Sequence, residues 1–452
     1  MTLLNELSAE VCQRARMSRD PRFDGRFFVA VKTTGIFCRP ICPANLPKEE
    51  NVEYFSSQAL AVSAGYRPCL RCRPESAPHS WAWKGAETTF LRALTLIEQG
   101  ELDGSLETLA SRLGISDRYL RQLFQRHLGM PPKQYAQIQQ LMFAKQLLHT
   151  SQISITEVAY ASGFQSTRRF NDAFQKLFRL TPTQVRRERA ALPSRNHLSL
   201  AFRGPFDWAH MLDFYRLRAI ESMELVDEQS YQRHFVLGEG TGWFKASMAQ
   251  SHLDIEFEME RLSDLRHLVA RLRRMFDLDA DLISIEAHLE QLAPGLVRRT
   301  GIRIPGVWNA WEAGVRAVLG QQVSVKAAIG QLNLLVSTLA ASEGSTRYFP
   351  TPEQVQMSDL SFLRMPERRK ETLKRLADYV RLHPMDSPMA WLSLSGIGPW
   401  IVDYAQLRGE SRSHCFLTGD LIVKKALAKF PQLTAESVAP WGSYATFHCW
   451  SH

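Results

Sequence analysis

Four cysteines near the start of this 452-residue chain, Cys38, Cys42, Cys69 and Cys72, form a C-x3-C pair and a C-x2-C pair separated by 26 residues. Each short pair can bring two sulfurs to about 2.3 Å from one ion, and four thiolates meet the tetrahedral preference of Zn2+. The spacing therefore points to a small domain closed around a metal. Arg67, Arg71 and Arg73 crowd the second pair, so the predicted zinc site is set in positive charge. A zinc knuckle that only holds a fold together would satisfy the same spacing. Spacing alone does not give any one sulfur a chemical role.

The length is enough for three or four units with their own cores, and 45% hydrophobic residues argue against disorder. A formal charge of +9 and a pI near 9.2 favour a polyanionic partner, a nucleic acid being the commonest, with a solvated basic face as the plainer alternative. The opening MTLLNELSAEVCQRARMSRD has no apolar signal core, and no uncharged run is long enough to cross a bilayer. A cytoplasmic protein with no membrane partner is expected. Cys12, Cys415 and Cys449 show no pattern and are expected as reduced thiols.

The stretch DGRFFVAVKTTGIFCRPICPANLPKEENVEYF (24–55), followed by AGYRPCLRC (64–72), resembles the N-terminal methyl-acceptor domain of Ada alkylation-response proteins over residues 1–80. The resemblance implies that Cys38 is both a zinc ligand and the acceptor of a methyl group from a methylphosphotriester in DNA, with Cys42, Cys69 and Cys72 remaining ligands. The chemistry is consistent. Four thiolates on one dication carry a net charge of minus two, which preserves nucleophilicity. Methylation of Cys38 removes one negative charge and would tighten binding to the phosphate backbone, so a stoichiometric transfer could act as an electrostatic switch.

Two later segments look like copies of each other: LETLASRLGISDRYLRQLFQRHLGMPP (106–132) and ITEVAYASGFQSTRRFNDAFQKLFRLTP (155–182). Each reads as a short helix, a turn at Gly114 or Gly163, and a longer helix, the helix-turn-helix pattern that sends its second helix into the major groove. Single patterns of this kind are mostly generic helical hairpins; two copies joined by a long helix are not. The pair resembles the DNA-binding domain of AraC-type activators over residues 85–187, which makes double-stranded DNA and RNA polymerase the expected partners. Arg118 and Arg121 in the first recognition helix, and Arg168 and Arg169 in the second, are candidates to touch DNA, since Arg can bond guanine bidentately.

Residues 186–197 are charged, then small and Pro-containing, and read as a linker. Alternating apolar and polar residues predict strands between about 198 and 260, with helices from Asp264 onward. Further on, LSGIGPWIVDYAQLRG (394–409) places Gly396 and Gly398 in a hairpin between two helices, and FLTGDLIVKKAL (416–427) brings Asp420 about twenty residues later. A hairpin with its backbone facing outward can bond DNA phosphates and hold a monovalent cation through its carbonyls. A lone G-x-G is weak evidence, and a structural helix N-cap is the plain role for Asp420.

The combination, with WEAGVRAVLGQQVSVKAA (311–328) and PWGSYATFHCW (440–450), resembles helix-hairpin-helix DNA glycosylases of the AlkA, or 3-methyladenine, type over residues 198–452. The resemblance implies Asp420 as the catalytic carboxylate, Trp400, Tyr404 and Trp450 as base-pocket aromatics, and Ile302 as a wedge filling the gap left by a flipped base. An N3- or N7-alkylated purine is cationic, so an electron-rich pocket can stack on it, while a carboxylate stabilises the oxocarbenium-like sugar. Bifunctional relatives place an attacking lysine where this chain has Trp400, so strand nicking is not expected. No Pro-Cys-His-Arg motif is present, and a glycosylase therefore takes the place of the base-methyl transferase of the usual Ada protein.

The expected architecture is multidomain, mainly α with α+β parts: a small zinc-bound α+β domain (1–80), an all-α double helix-turn-helix domain (85–187), an α+β sheet domain (198–303) and an all-α helix-hairpin-helix glycosylase domain (304–452). The expected function is alkylation repair of DNA joined to its transcriptional regulation. The alternative is a methylation-sensing regulator whose glycosylase part is inert.

Overall fold

In a computed structural model of the protein, the described residues are 8–20, 23–56, 58–69, 71–72, 74, 81–98, 100, 102, 105–187, 196–339, 342–343, 346–384 and 386–451. The chain divides into two compact units, Met1–Gln139 and Gln140–His452. Among the described residues helices dominate, with one sheet in the first unit and two in the second, the multidomain α and α+β composition that the patterning predicts. Among the described residues no helix is long and apolar enough to cross a membrane. Arg73 and most of the segment expected as a linker, residues 188–195, lie outside the described residues.

The first unit opens with the helix Ala9–Met17, capped by Ser8, and a four-stranded sheet. In spatial order the strands are Val52–Phe55, Phe28–Val31, Ile36–Cys38 and Arg67–Pro68; the first three are antiparallel and the last runs parallel to Ile36–Cys38. Side chains alternate across the central strand. Phe27, Val29 and Val52 bury against Cys12 and Ala15, while Phe28, Ala30, Phe37 and Ala61 form the opposite cluster. Among the described residues these clusters hold five and four buried side chains, a small core of the kind to which a metal clip adds most. Next come the helices Leu106–Arg112 and Asp117–Leu128, packed through Leu109, Leu120, Leu123 and Phe124.

The second unit holds the helices Ile155–Ala161 and Thr167–Phe178, then a five-stranded antiparallel sheet. Its spatial order is His197–Ala201, His252–Met259, Gly240–Met248, Ser230–Leu237, Glu224–Val226. Strands thus dominate the stretch where alternation predicts them, interrupted by the helix Trp208–Arg216, and the helix Leu265–Met275 begins where the helical pattern does. Tyr231, Phe235, Phe244 and Phe257 from the sheet, Leu268 and Leu272 from that helix, and Val158 and Phe170 from the preceding helices form one continuous core.

Two helices at the heart of the C-terminal part fix the geometry that follows. Ala310–Gly320 and Pro399–Glu410 approach so closely that a Cβ on Gly409 would lie 2.5 Å from the Cα of Ala310, so only glycine fits there. Ala310–Gly320 is tied to the sheet by buried charges. Glu312 accepts from Arg233 at 2.5 Å and from Arg316 at 2.9 Å, and Glu224 accepts from the same two arginines. Burial alone would raise the Glu312 carboxyl, but the two guanidiniums outweigh it and hold it at about 2. Removing one partner of such a network costs about 3–5 kcal/mol.

Candidate functional site

The metal centre is built on the edge of the small sheet. Cys38 ends the strand Ile36–Cys38, a tight turn places Cys42, and Cys69 follows Arg67–Pro68 with its N–H bonded to the Phe37 carbonyl at 3.0 Å. All four sulfurs lie within 4.8 Å of one another. Tetrahedral coordination at about 2.3 Å from Zn2+ puts sulfurs about 3.8 Å apart, so the donor set fits that ion. Cys42 and Cys69 are buried, whereas Cys38 and Cys72 are partly exposed, leaving Cys38 reachable from outside. A hydrogen bond with Cys72, burial and the neighbouring thiols push the Cys38 thiol up, so this cluster needs a dication to hold four negative sulfurs.

Arg67 and Arg71 are exposed beside the second pair. Reading the sequence missed Arg39. Its guanidinium clasps the buried Asp24, with Nε 2.8 Å from Oδ1, and its backbone N–H donates to the Cys72 sulfur at 3.3 Å. The pair locks the turn between Cys38 and Cys42, and no local pattern signals a partner 15 residues upstream.

Both predicted recognition helices form with the same start. Ser116 caps Asp117–Leu128 by accepting from Tyr119 N at 3.2 Å, and Ser166 caps Thr167–Phe178 by accepting from Arg169 N at 3.3 Å. Leu120, Leu123 and Phe124 in the first, and Phe170 and Phe174 in the second, are buried, so the opposite faces are free. Arg118, Arg121, Arg168 and Arg169 all lie on exposed positions. Arg121 also pairs with Asp117 at 3.1 Å, an exposed i,i+4 contact that DNA could displace.

A cleft of about 540 Å3 in the second unit gathers Trp400, Tyr404, Trp450 and Asp420. Trp400 and Tyr404, one turn apart on Pro399–Glu410, stack with ring centres 5.4 Å apart. Trp450 ends the helix Gly442–Trp450 and lies parallel to Phe214, 6.2 Å away. Asp420 does cap the helix Leu421–Leu427, yet it does so with one oxygen only. Oδ1 accepts from Ile422 N at 2.9 Å, Val423 N at 3.2 Å and the Trp450 indole Nε1 at 3.1 Å, while Oδ2 has no hydrogen bond among the described residues. The carboxylate is therefore held rigidly by one oxygen while the other stays uncommitted. Among the described residues no lysine lines the cleft.

Phe214, Arg218 and Arg408, around the same aromatics, escaped sequence reading because two of them come from the region of the helix Trp208–Arg216, some 200 residues before Asp420. Ile302 requires a correction. It is 1% exposed and packs among Ile304, Leu289 and Leu417, so it cannot enter a DNA duplex. The wedge role comes from the family resemblance alone, and the stretch 301–308 runs through the core. The turn after Ala310–Gly320 carries the exposed Gln322, in the left-handed region at φ +55°, followed by the 41% exposed Val323, which lines the cleft.

The hairpin residues precede Pro399–Glu410. Gly396 has φ +93°, and a Cβ there would sit 2.2 Å from Thr372 Oγ1, so conformation and space both demand glycine; Gly398 is the N-cap position and meets no such contact. The arm before the turn is a short 3-10 segment, Pro388–Ser393, rather than an α-helix. The carbonyls of Gly396 and Ile397 accept no hydrogen bond among the described residues.

Three family models match along the chain: the metal binding domain of Ada over residues 11–75, a helix-turn-helix domain over 109–188 and the AlkA N-terminal domain over 197–309. The chain is 33% identical to DNA-3-methyladenine glycosylase 2 of Escherichia coli, over 56% of this chain and 96% of that protein. It is 35% identical to the bifunctional transcriptional activator/DNA repair enzyme Ada of Escherichia coli, over 38% of this chain and 47% of that one. Over 98% of its length it is 34% identical to 96% of a protein of Mycobacterium tuberculosis described as a "Probable bifunctional transcriptional activator/DNA repair enzyme AlkA". With all three regions matched in one chain and a relative of the same kind aligned from end to end, this protein belongs to the AlkA-type family of bifunctional transcriptional activator/DNA repair enzymes.

Proposed function

We propose that this chain repairs alkylated DNA and regulates the response to it, through a methyl acceptor, an activator and a base-excising site in one polypeptide. The working modules are residues 1–80, 85–187, 198–303 and 304–452. Bound Zn2+ would keep the four sulfurs of Cys38, Cys42, Cys69 and Cys72 deprotonated at neutral pH. Cys38 Sγ, the more accessible member of the first pair, attacks the methyl carbon of a phosphotriester; the S–C bond forms as the C–O bond breaks, and a phosphodiester anion leaves. The thioether does not return its methyl, so one transfer is made per chain. The site loses one negative charge, and Arg67 and Arg71 beside it then face DNA with less opposition.

The activator reads DNA through Arg118, Arg121, Arg168 and Arg169 on the exposed faces of the two helices, working with RNA polymerase in the cytoplasm. In the cleft, Trp400, Tyr404 and Trp450 stack on an extruded N3- or N7-alkylated purine. The uncommitted Asp420 oxygen faces the positive charge that grows on the sugar as the base departs, and water completes the hydrolysis. Gly396 and Gly398 bring the hairpin backbone to a phosphate, and the free carbonyls of Gly396 and Ile397 suit a monovalent cation bridging to it. Filling the gap left by the base falls to the turn around Gln322.

The observation that carries this reading is the split use of the Asp420 carboxylate inside an aromatic cleft, one oxygen held by three donors and one left over. The same N-cap geometry is what favours the competing reading, an inert scaffold behind a methylation-sensing regulator. Incubation with methylated duplex DNA separates them: free alkylated base appears, without strand cutting and without a borohydride-trapped adduct, as expected of a cleft with no lysine among its described lining residues. Methyl transfer with no base release would favour the inert scaffold.

A further inference from the structure

The cleft holds a group that a receptor built only for cationic bases would avoid. Arg218, just beyond the helix Trp208–Arg216, lines the cleft with Asp420 and the aromatics. Its guanidinium carbon lies 3.7 Å from the centre of the Phe214 ring, and its Nη1 donates to the Phe214 carbonyl at 3.3 Å. Neighbouring Arg316 is neutralised by Glu312 and Glu224. Arg218 has no such partner among the described residues; the groups that act on it are Tyr404, Arg408 and Arg316. Burial pulls it down to about 10, which leaves it charged at neutral pH.

Arg408 approaches the same Phe214 ring at 4.7 Å, and Phe214 in turn stacks parallel to Trp450. Two guanidiniums therefore already sit against Phe214, one of the aromatics lining the cleft, and compete with a cationic base for that ring. Of the five N–H groups of Arg218, one is spent on the Phe214 carbonyl. A base entering beside it meets a fixed positive charge with donors to spare.

We propose that Arg218 determines the specificity of the cleft: it donates to a carbonyl acceptor on a neutral extruded base, and its fixed charge opposes a cationic one. Neutral lesions with an acceptor edge thereby compete with N-alkylated purines. The proposal rests on the base-excision reading above and refines it.

The test uses the full-length protein in single-turnover release from two duplexes, one carrying deoxyinosine, whose base is neutral with a carbonyl, and one methylated to carry 3-methyladenine, which in the nucleotide is cationic and has no carbonyl. In Arg218→Leu the ratio of hypoxanthine release to 3-methyladenine release falls on the order of 10²-fold, because one unit charge and its donors are removed at contact distance. Arg218→Gln keeps a donor and a polar side chain suited to the half-buried position, lowers the ratio at least about ten-fold, and keeps the test in force if Arg218→Leu does not fold. A ratio unchanged in both variants, with the two rates falling together, overturns the proposal and leaves Arg218 as packing. If wild-type protein releases neither base, the excision reading itself fails; if it releases both and the ratio does not move, only the role of Arg218 does.

Discussion

Replacing Asp420 by Asn removes a charge while leaving almost every contact in place. Oδ1 of Asp420 holds Ile422 N, Val423 N and Trp450 Nε1 at 2.9, 3.2 and 3.1 Å, and an amide oxygen can hold the same three. The amide nitrogen then occupies the site of Oδ2, which has no hydrogen bond to lose among the described residues. Asn and Asp are near-equal N-caps, so stability should move by less than about 0.5 kcal/mol. Catalysis should not be spared. A carboxylate about 4 Å from a developing unit charge, at an effective dielectric of about 20, contributes about 4 kcal/mol. Losing one such group lowers excision by about 10²–10³-fold. Asp420→Ala adds the loss of the cap, about 1 kcal/mol, and lowers the melting temperature by about 2–4 °C. Single-turnover release from methylated duplex DNA, with thermal melting of wild type and both variants, reads the two effects apart. Excision by Asp420→Asn within about three-fold of wild type would refute the electrostatic role. So would Asp420→Asn melting as low as Asp420→Ala, because the lost activity would then be lost fold.

Cys38→Ala should abolish methyl uptake from methylphosphotriester DNA while base release continues, since the sulfurs and Asp420 are on separate units; peptide mass spectrometry should find one added methyl on wild-type Cys38, and methyl on Cys69 or Cys72 would count against the assignment. Methylated protein should bind DNA more tightly than unmethylated protein at low salt, with the gap closing as salt rises, as titrations at several ionic strengths would record. Burial of Asp277 raises its carboxyl to about 7, against the Tyr444 hydroxyl at 2.9 Å and Ile304 N at 3.2 Å that act to lower it. In the window between about 4 and about 7 the folded state holds this proton and the unfolded state does not, so stability falls as pH rises. Asp277→Asn should flatten that decline in denaturant titrations across the same pH range.

Much of the function was legible because its signals are short-range. Two thiol pairs close a metal site with little help from the rest of the chain, since three or four residues fix the reach of each pair. Gly114 and Gly163, each between a short and a longer helical pattern, announce the two recognition helices because a tight turn is decided by a few neighbouring residues. Trp400 and Tyr404, four residues apart on one helix, must share a face, and alternation in 198–260 is a property of each strand by itself.

What only the tertiary structure decided depends on segments distant in sequence. Arg39 reaches Asp24, Phe214 and Arg218 reach the aromatics around Asp420, and Trp450 reaches Asp420 across 30 residues. Ile302 shows the limit most plainly: the resemblance implies a wedge in the DNA, yet helices from both sides of the sequence close over it. Local chemistry is written in spacing, because neighbours on the chain meet under nearly any fold. Burial, charge pairing and the sign of the charge inside the cleft are set by which remote surfaces pack together, and spacing carries no record of that.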